Sequence, residues 1–161
     1  MPRFAFKAGD DYALKLSRLA AGSEEIAKRA IFAGAAIVTD ELRNAIEALP
    51  EEKFRYLRGD QFTGVSKQHK KDLLASLGIT PIMRDDRGDW NAKVGFDGYG
   101  KMPTAKHKQG LPNQLLARAI ESGSSVRRKQ PFVRKTVKAT KPRAEDAMAS
   151  SVEADIQKIM S

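Results

Sequence analysis

The sequence predicts an α+β fold in which a small antiparallel sheet is packed by a long helix and by C-terminal helices. Apolar residues recur at helical spacing over about residues 23–49 and again over residues 144–160. Alternating apolar residues follow a polar turn in residues 79–96, which is typical of a β-hairpin. With 161 residues, the chain is expected to form a single domain over residues 1–161.

A short strand and a short helix are predicted at the N-terminus. Phe4 and Phe6 alternate with polar or small residues, so we expect a strand that joins the sheet. Two aspartates then favour the start of a helix over residues 12–19, with Leu16 and Leu19 on its apolar side. The glycine at position 22 is expected to end this helix.

The long helix is predicted to begin after Ser23, a favourable N-cap, and to end before Pro50. Its middle is rich in small residues around Gly34, which would let another backbone approach closely. Packing within the domain and packing against a second copy are both compatible with this pattern.

A shorter helix is predicted over residues 66–77, with Gly78 as its C-terminal stop. Residues 79–83 and 90–96 then form the hairpin, and Pro81 places the first strand at an edge of the sheet. Long loops are predicted at about residues 50–65 and 97–111.

Pro112 is placed to begin a helix over residues 112–121, and Gly123 is placed to end it in a left-handed turn. An ordered segment restarts at Pro131. We expect Pro142 to interrupt this segment before a last amphipathic helix over residues 144–160.

No group of residues predicts catalysis, a metal site or a cofactor site. Asp85, Asp86 and Asp89 lack the spacing of a calcium loop and are expected to form the hairpin turn. His69 and His107 lack the spacing of a zinc site and are expected to be exposed to solvent. The sequence also has no phosphate-binding loop and no nucleophile with an adjacent base, so we expect a protein that is not an enzyme.

The net charge is +9, and the excess lies mostly in residues 101–108 and 127–143. Such blocks suit an anionic partner, either nucleic acid or an acidic protein surface, but a solvated helix face has the same pattern. The absence of cysteine fits a reducing compartment. The longest uncharged apolar stretch, residues 30–39, is too short to cross a bilayer, so synthesis in the cytoplasm without a membrane partner is expected.

The order of motifs resembles a known family. The run KKDLLASLGITPI is followed by NAKVGFDGYG, by GLPNQLLARAIESGSSVRRKQPFVRKTV and by a final amphipathic helix. This order, after an F-x-F-x-x-G-D-D opening and a long Ala-rich helix, is similar to that of the gene-product-ten family of HK-type long-tailed phages. These are neck or tail-completion proteins, also labelled minor tail or head–tail joining proteins.

The resemblance is carried by short motifs. Thr63 and Gly64 match the T-G step of the family, and Leu73 and Leu74 fall in its Leu-containing segment. The E-x-G-[ST] and P-F motifs are matched by Glu121, Gly123 and Ser124 and by Pro131 and Phe132. Two departures are the insertion VSKQHKKD after the T-G step, and Arg134 and Lys135 where Pro-Ala usually follows P-F.

The resemblance implies a structural component of the virion that joins tail to head without catalysis. Its copies would form a ring around the DNA channel, with six subunits by analogy with tail symmetry. Its partners would be the head-closure or adaptor protein and the tail-terminator or tail-tube protein, with packaged DNA as a further candidate. The interface or structural corner would comprise Glu121, Gly123, Ser124, Arg127, Arg128, Lys129, Phe132 and Arg134.

Three questions stay open at the level of sequence. The corner could dock a neighbouring subunit or brace its own chain. The protein could instead be a nucleic-acid-binding module that uses residues 127–143. It could also be a hydrolase that uses Glu121.

Overall fold

The computed structural model of the protein describes residues 9–51, 61 and 63–161. Over these residues the chain forms helices and short antiparallel strand pairs, which confirms the α+β prediction. The predicted N-terminal strand at Phe4 and Phe6 lies outside the described residues, as does most of the loop predicted at about 50–65.

The helices are α1 (Asp10–Ala21), α2 (Ser23–Glu47), α3 (Lys67–Ser76), α4 (Asn113–Ser122) and α5 (Phe132–Met160). The strands are β1 (Leu77–Ile79), β2 (Met83–Arg84), β3 (Trp90–Asn91) and β4 (Val94–Phe96). In the described part of the chain, no helix is both long enough and apolar enough to span a bilayer.

The junction between α1 and α2 is nearly continuous. Ser23 is the first residue of α2, and not its cap as the sequence predicted. Gly22 takes the capping position with a helical backbone (φ −89°, ψ 0°), and its N–H donates to the carbonyl of Arg18 at 3.0 Å. Because the carbonyl of Gly22 also accepts from the N–H of Ile26, hydrogen bonding passes from one helix to the next.

Helix α1 lies on the surface with none of its residues buried. Of the two residues on the predicted apolar side, Leu16 is 43% exposed and Leu19 is half-buried. The helix contacts the C-terminal end of α5, where Ile159 lies beside Gly22.

Helix α5 is one continuous helix, so the predicted interruption at Pro142 is wrong. Proline lacks the N–H that would bond to the preceding turn, but this removes a single hydrogen bond at an exposed position. The helix has buried residues on both sides of the proline, Thr140 before it and Ala144 after it, and two ion pairs hold its C-terminal part against α2. Arg143 pairs with Glu41 at 3.1 Å, and Asp155 pairs with Arg29 at 2.8 Å.

The small residues of α2 serve packing within the chain. A Cβ atom added at Gly34 would lie 2.7 Å from Cγ and 2.8 Å from Sδ of Met148, and 3.4 Å from the carbonyl oxygen of Ala144. Glycine therefore lets α5 approach α2 closely. This contact favours intramolecular packing over a helix shared with a second copy.

The predicted hairpin is present and begins two residues earlier than expected, at Leu77. Strand β1 pairs with β4, with Ile79 opposite Val94, and β2 pairs with β3, with Arg84 opposite Trp90. The ladder is interrupted between β1 and β2, where Pro81 has no N–H to donate.

Gly78 lies inside β1, so the prediction that it stops the preceding helix is wrong. The chain leaves α3 directly into extended backbone at Leu77 (φ −69°, ψ 124°), which needs no glycine.

The acidic residues of the hairpin form its turn, as predicted. Oδ1 of Asp85 accepts from the backbone N–H groups of Arg87 and Asp89, each at 2.9 Å. Among the residues described, no group of three or more His, Cys, Asp or Glu side chains could hold a metal ion.

The main core lies between the C-terminal half of α2, α3, the base of the hairpin, α4 and the start of α5. Its buried residues are Leu42, Ile46, Leu49, Val65, Leu73, Leu77, Leu116, Ala117, Ile120 and Phe132. Helix α4 thus rests on the core immediately before the motif that carries the family resemblance.

Candidate interface at the Glu121 corner

Glu121 caps the N-terminus of α5 from the end of α4. Its Oε2 accepts from the N–H of Val133 at 2.8 Å, and its Oε1 accepts from the N–H of Arg134 at 3.1 Å. The first amides of a helix have no partner within the helix and carry partial positive charge. A carboxylate that accepts two of them is favoured by hydrogen bonding and by the helix dipole. We refer to residues 121–134 as the Glu121 corner.

Gly123 ends α4 with a positive φ, as predicted, but the turn is not the left-handed helical one. Its φ of 75° and ψ of 176° lie in a region that is essentially restricted to glycine. A Cβ atom here would also lie 2.8 Å from the backbone nitrogen of Lys129. Both the backbone conformation and the close approach therefore require glycine.

After Gly123 the chain makes a tight loop and returns to α4. The N–H of Ser124 donates to the carbonyl of Arg127 at 2.9 Å, which closes a turn. The N–H of Gln130 then donates to the carbonyl of Ile120 at 2.7 Å. The loop is thus fixed at its base by backbone hydrogen bonds.

Phe132 anchors the corner to the core. The residue is 7% exposed, and its ring centroid lies 6.3 Å from that of Phe96 with the planes tilted by 55°. Burial of an aromatic side chain of this size contributes on the order of 2–3 kcal/mol. Phe132 therefore supports the corner from beneath and does not lie on its surface.

The Thr63–Gly64 step contacts the Glu121 corner. Nη1 of Arg127 donates to the carbonyl of Gly64, which is buried. Nε2 of Gln61 lies 3.4 Å from the carbonyl oxygens of Ser124 and Ser125. Gln61 was missed at the sequence level, because the residues it contacts lie more than 60 positions away.

A shallow pocket of about 370 Å³ opens at the corner, and we call it the corner pocket. Ser122, Gly123 and Ser124 line one part of it, Gln61 another, and the basic residues 127–129 the rest. Five of the predicted interface residues are therefore brought together here, and Glu121, Phe132 and Arg134 lie in the same corner.

The prediction that both histidines are exposed is wrong, since His69 and His107 are each half-buried. Burial lowers the pKa of His69 below its ordinary value of 6.5, and the positive charge of Arg127 lowers this pKa further, while Asp72 acts in the opposite direction. The backbone N–H of His69 donates to Ser66, the N-cap of α3, at 3.2 Å.

A row of cations continues from the corner along α5. Arg134, Lys138 and Lys141 are exposed and recur at i, i+4 and i+7, so they share one face of the helix. We define the basic surface as these residues together with Arg128, Lys129 and Lys135, all exposed. Within the described part of the chain, the ion pairs of this set are Lys141 with Glu145 at 3.7 Å and a long contact of Arg134 with Glu121 at 3.9 Å.

The basic loop 97–111 is tied to the core by two buried polar residues that the sequence did not single out. Oδ2 of Asp72 accepts from the N–H of Lys101 at 3.0 Å, and Oδ1 accepts from Nε2 of Gln68 at 2.9 Å. Nδ2 of Asn113 donates to the carbonyl of Asp97 at 2.9 Å. The loop is therefore positioned by side chains of α3 and α4.

Comparison of the chain with models of known protein families, with characterised proteins and with solved structures finds no match in any of the three.

Proposed function

We propose that this protein is a structural component of a tailed-phage virion, in which a ring of copies completes the tail or neck and joins it to the head around the DNA channel. The order of motifs in the sequence supports the family. In the structure, Gly64 of the T-G motif accepts a hydrogen bond from Arg127, three residues after the E-x-G-[ST] motif.

The geometry of Glu121 supports a structural role for the corner. Both carboxylate oxygens accept hydrogen bonds from α5 amides, and the side chain is 15% exposed. The residue therefore braces its own chain and fixes the direction in which α5 leaves the corner. We infer that it is not a catalytic base.

The exposed apolar face of α1 carries the proposal of self-assembly. Tyr12 and Leu16, 48% and 43% exposed, lie one turn apart on the same face of this helix. A helix with no buried residue contributes little to the core of its own chain, and exposed apolar groups of this kind mark interaction sites. We assign this face to the next copy in a ring, where a head-to-tail contact closes by cyclic symmetry.

The assembly is tested by the double substitution Tyr12→Ser/Leu16→Ser. Because neither side chain is buried, we expect the subunit to remain folded and the ring to dissociate into monomers. The mass measured by light scattering and native mass spectrometry checks this. The double substitution Met83→Ser/Tyr99→Ser removes two exposed apolar groups outside α1 and the Glu121 corner and should leave the ring intact. A wild-type chain that stays monomeric at every concentration would contradict the assembly.

The role in the virion is tested by deleting the gene from the phage that encodes it. We expect full heads and separate tails that fail to join, visible by electron microscopy, with rescue by the wild-type gene supplied in trans. Normal infectious virions without the protein would overturn the proposal.

A further inference from the structure

We propose that the basic surface binds the phosphate backbone of double-stranded DNA without reading its sequence, and that one phosphate occupies the corner pocket. This inference concerns the isolated chain as well as any assembly. It does not depend on the proposed role in the virion.

The first support is the separation of charge along the chain. Residues 98–143 contain 12 of the 29 Lys and Arg residues but one of the 20 acidic residues. That single acid is Glu121, which is occupied as the cap of α5. The remaining residues hold 17 basic and 19 acidic side chains, so the positive excess of the protein comes from this segment alone.

The second support is the alignment of the cations. Arg134 and Lys141 are seven residues apart on α5, which separates them by about 10 Å along the helix axis. Double-stranded DNA carries one phosphate charge per about 1.7 Å of its axis, so a row of this length faces several phosphates. Arg128 and Lys129 precede α5 in the chain and line the corner pocket.

The third support is the chemistry of the corner pocket. Arg128 and Lys129 line it together with Ser122 and Ser124. Cationic side chains and hydroxyl donors around a concave surface suit a tetrahedral oxyanion, and such groups are the usual contacts to DNA phosphates. The pocket volume of about 370 Å³ can accept a phosphate with its hydration water.

Burial of the aromatic residue in segment 127–143 favours duplex DNA over single strands as the ligand. Binding of single strands depends on bases stacked on exposed aromatic rings. Phe132, the aromatic residue of segment 127–143, is instead buried against Phe96. The basic surface therefore offers contacts to the backbone and none that would stack on a base.

The composition of the basic surface favours DNA over an acidic protein as the ligand. Four of the six side chains of the basic surface are lysines: Lys129, Lys135, Lys138 and Lys141. Lysine is depleted in protein–protein interfaces, whose centres carry few charged residues, whereas phosphate backbones are contacted mainly by lysine and arginine.

The test measures binding of a fluorescent 20-base-pair duplex of random sequence to the full-length protein by anisotropy, across a range of salt concentrations. The variant Arg128→Gln/Lys135→Gln/Lys138→Gln removes three exposed cations of the basic surface. We expect the slope of log K against log salt to become shallower by about 2–3, because each lost phosphate contact changes it by about 0.9. At about 0.1 M salt this corresponds to a loss of affinity of at least about tenfold.

The matched control is Arg43→Gln/Arg87→Gln/Lys93→Gln, which lowers the net charge by the same amount at exposed positions elsewhere. Arg43 is nine residues from Gly34 and so lies on the side of α2 away from α5. We expect this control to keep the wild-type slope, and circular dichroism to show that both variants are folded.

Three outcomes would overturn the inference. Equal loss in the two triple variants would show that net charge alone governs binding. Tighter binding of a single strand than of the duplex would exclude the duplex as the ligand. Binding of polyglutamate as tight as that of the duplex at the same salt would assign the surface to an acidic protein instead.

Discussion

At the scale of single residues, the Glu121 corner combines three requirements that a short motif can encode. Glu121 supplies a carboxylate to the amides of α5, Gly123 supplies a positive φ, and Phe132 fills the core beneath. The spacing of these residues follows from the geometry, since Glu121 must lie at the end of α4 and Phe132 at the start of α5. The motif is therefore explained as a junction between two helices.

We expect Glu121→Ala to lower the free energy of unfolding by about 1–3 kcal/mol, because two amides of α5 lose their acceptor. Glu121→Gln retains one acceptor oxygen and should cost less. Urea unfolding followed by circular dichroism measures both values. Ser122→Ala, at the exposed neighbouring position, should change stability by less than about 0.5 kcal/mol. A Glu121→Ala variant as stable as the wild type would show that the cap does not contribute.

His69 should make stability depend on pH. Its pKa is lowered in the folded state by burial and by Arg127, so below about pH 6.5 the unfolded chain binds a proton more readily than the folded one. Stability is therefore expected to fall as the pH falls from 7.5 to 5.5, and His69→Gln should reduce that loss. Unfolding by urea at the two pH values measures it. Between pH 7.5 and 8.5 the two proteins should change alike, and an unaltered acid loss in His69→Gln would contradict the assignment.

At the scale of elements, the antiparallel pair of α2 and α5 forms the frame of the molecule. The two helices meet closely at Gly34 and are joined by the ion pairs of Arg143 with Glu41 and of Arg29 with Asp155. Exposed ion pairs contribute little, about 0–1 kcal/mol each, so close packing provides most of the stabilisation. Burial of Thr140 and Ala144, one on each side of Pro142, is consistent with a helix that continues through the proline.

Gly34→Ala should destabilise the protein by about 1–3 kcal/mol, because the new methyl group would overlap with Met148. The substitution Met148→Ala makes room for it. In a double-mutant cycle, we therefore expect Gly34→Ala to cost less in the Met148→Ala background than in the wild type. Thermal unfolding of the four proteins gives the coupling energy, and strict additivity would show that the two positions do not interact.

At the scale of the whole molecule, the sequence predicts most of the helices and strands but not the long-range contacts between them. Period and turn chemistry located α2, the hairpin and α4, because these signals are local. The contact of Gln61 with Ser124 and the tie of Asp72 to Lys101 join distant parts of the chain, so no local pattern indicates them. The sequence predicts a break at Pro142 because proline disfavours a helix interior, whereas the tertiary contacts that keep α5 continuous are not visible in the sequence.

The sequence predicts which residues form the Glu121 corner but not what each of them does there. The motif residues 121–134 were identified from the sequence. That Glu121 accepts from two amides of α5 depends on how α5 is placed against the end of α4, which no local pattern indicates. The exposure of α1 likewise could not be inferred, because Leu16 and Leu19 have the spacing of a buried stripe. Whether the apolar face of a helix is buried depends on which other elements pack against it.

The length of α5 has a mechanical consequence. Its 29 residues span about 43 Å as a rigid rod, with the Glu121 corner at one end and the contact with α1 at the other. The number of residues in α5 therefore fixes both the separation of the two ends and their relative rotation about the helix axis. One residue added or removed would shift the far end by about 1.5 Å and turn it by about 100°.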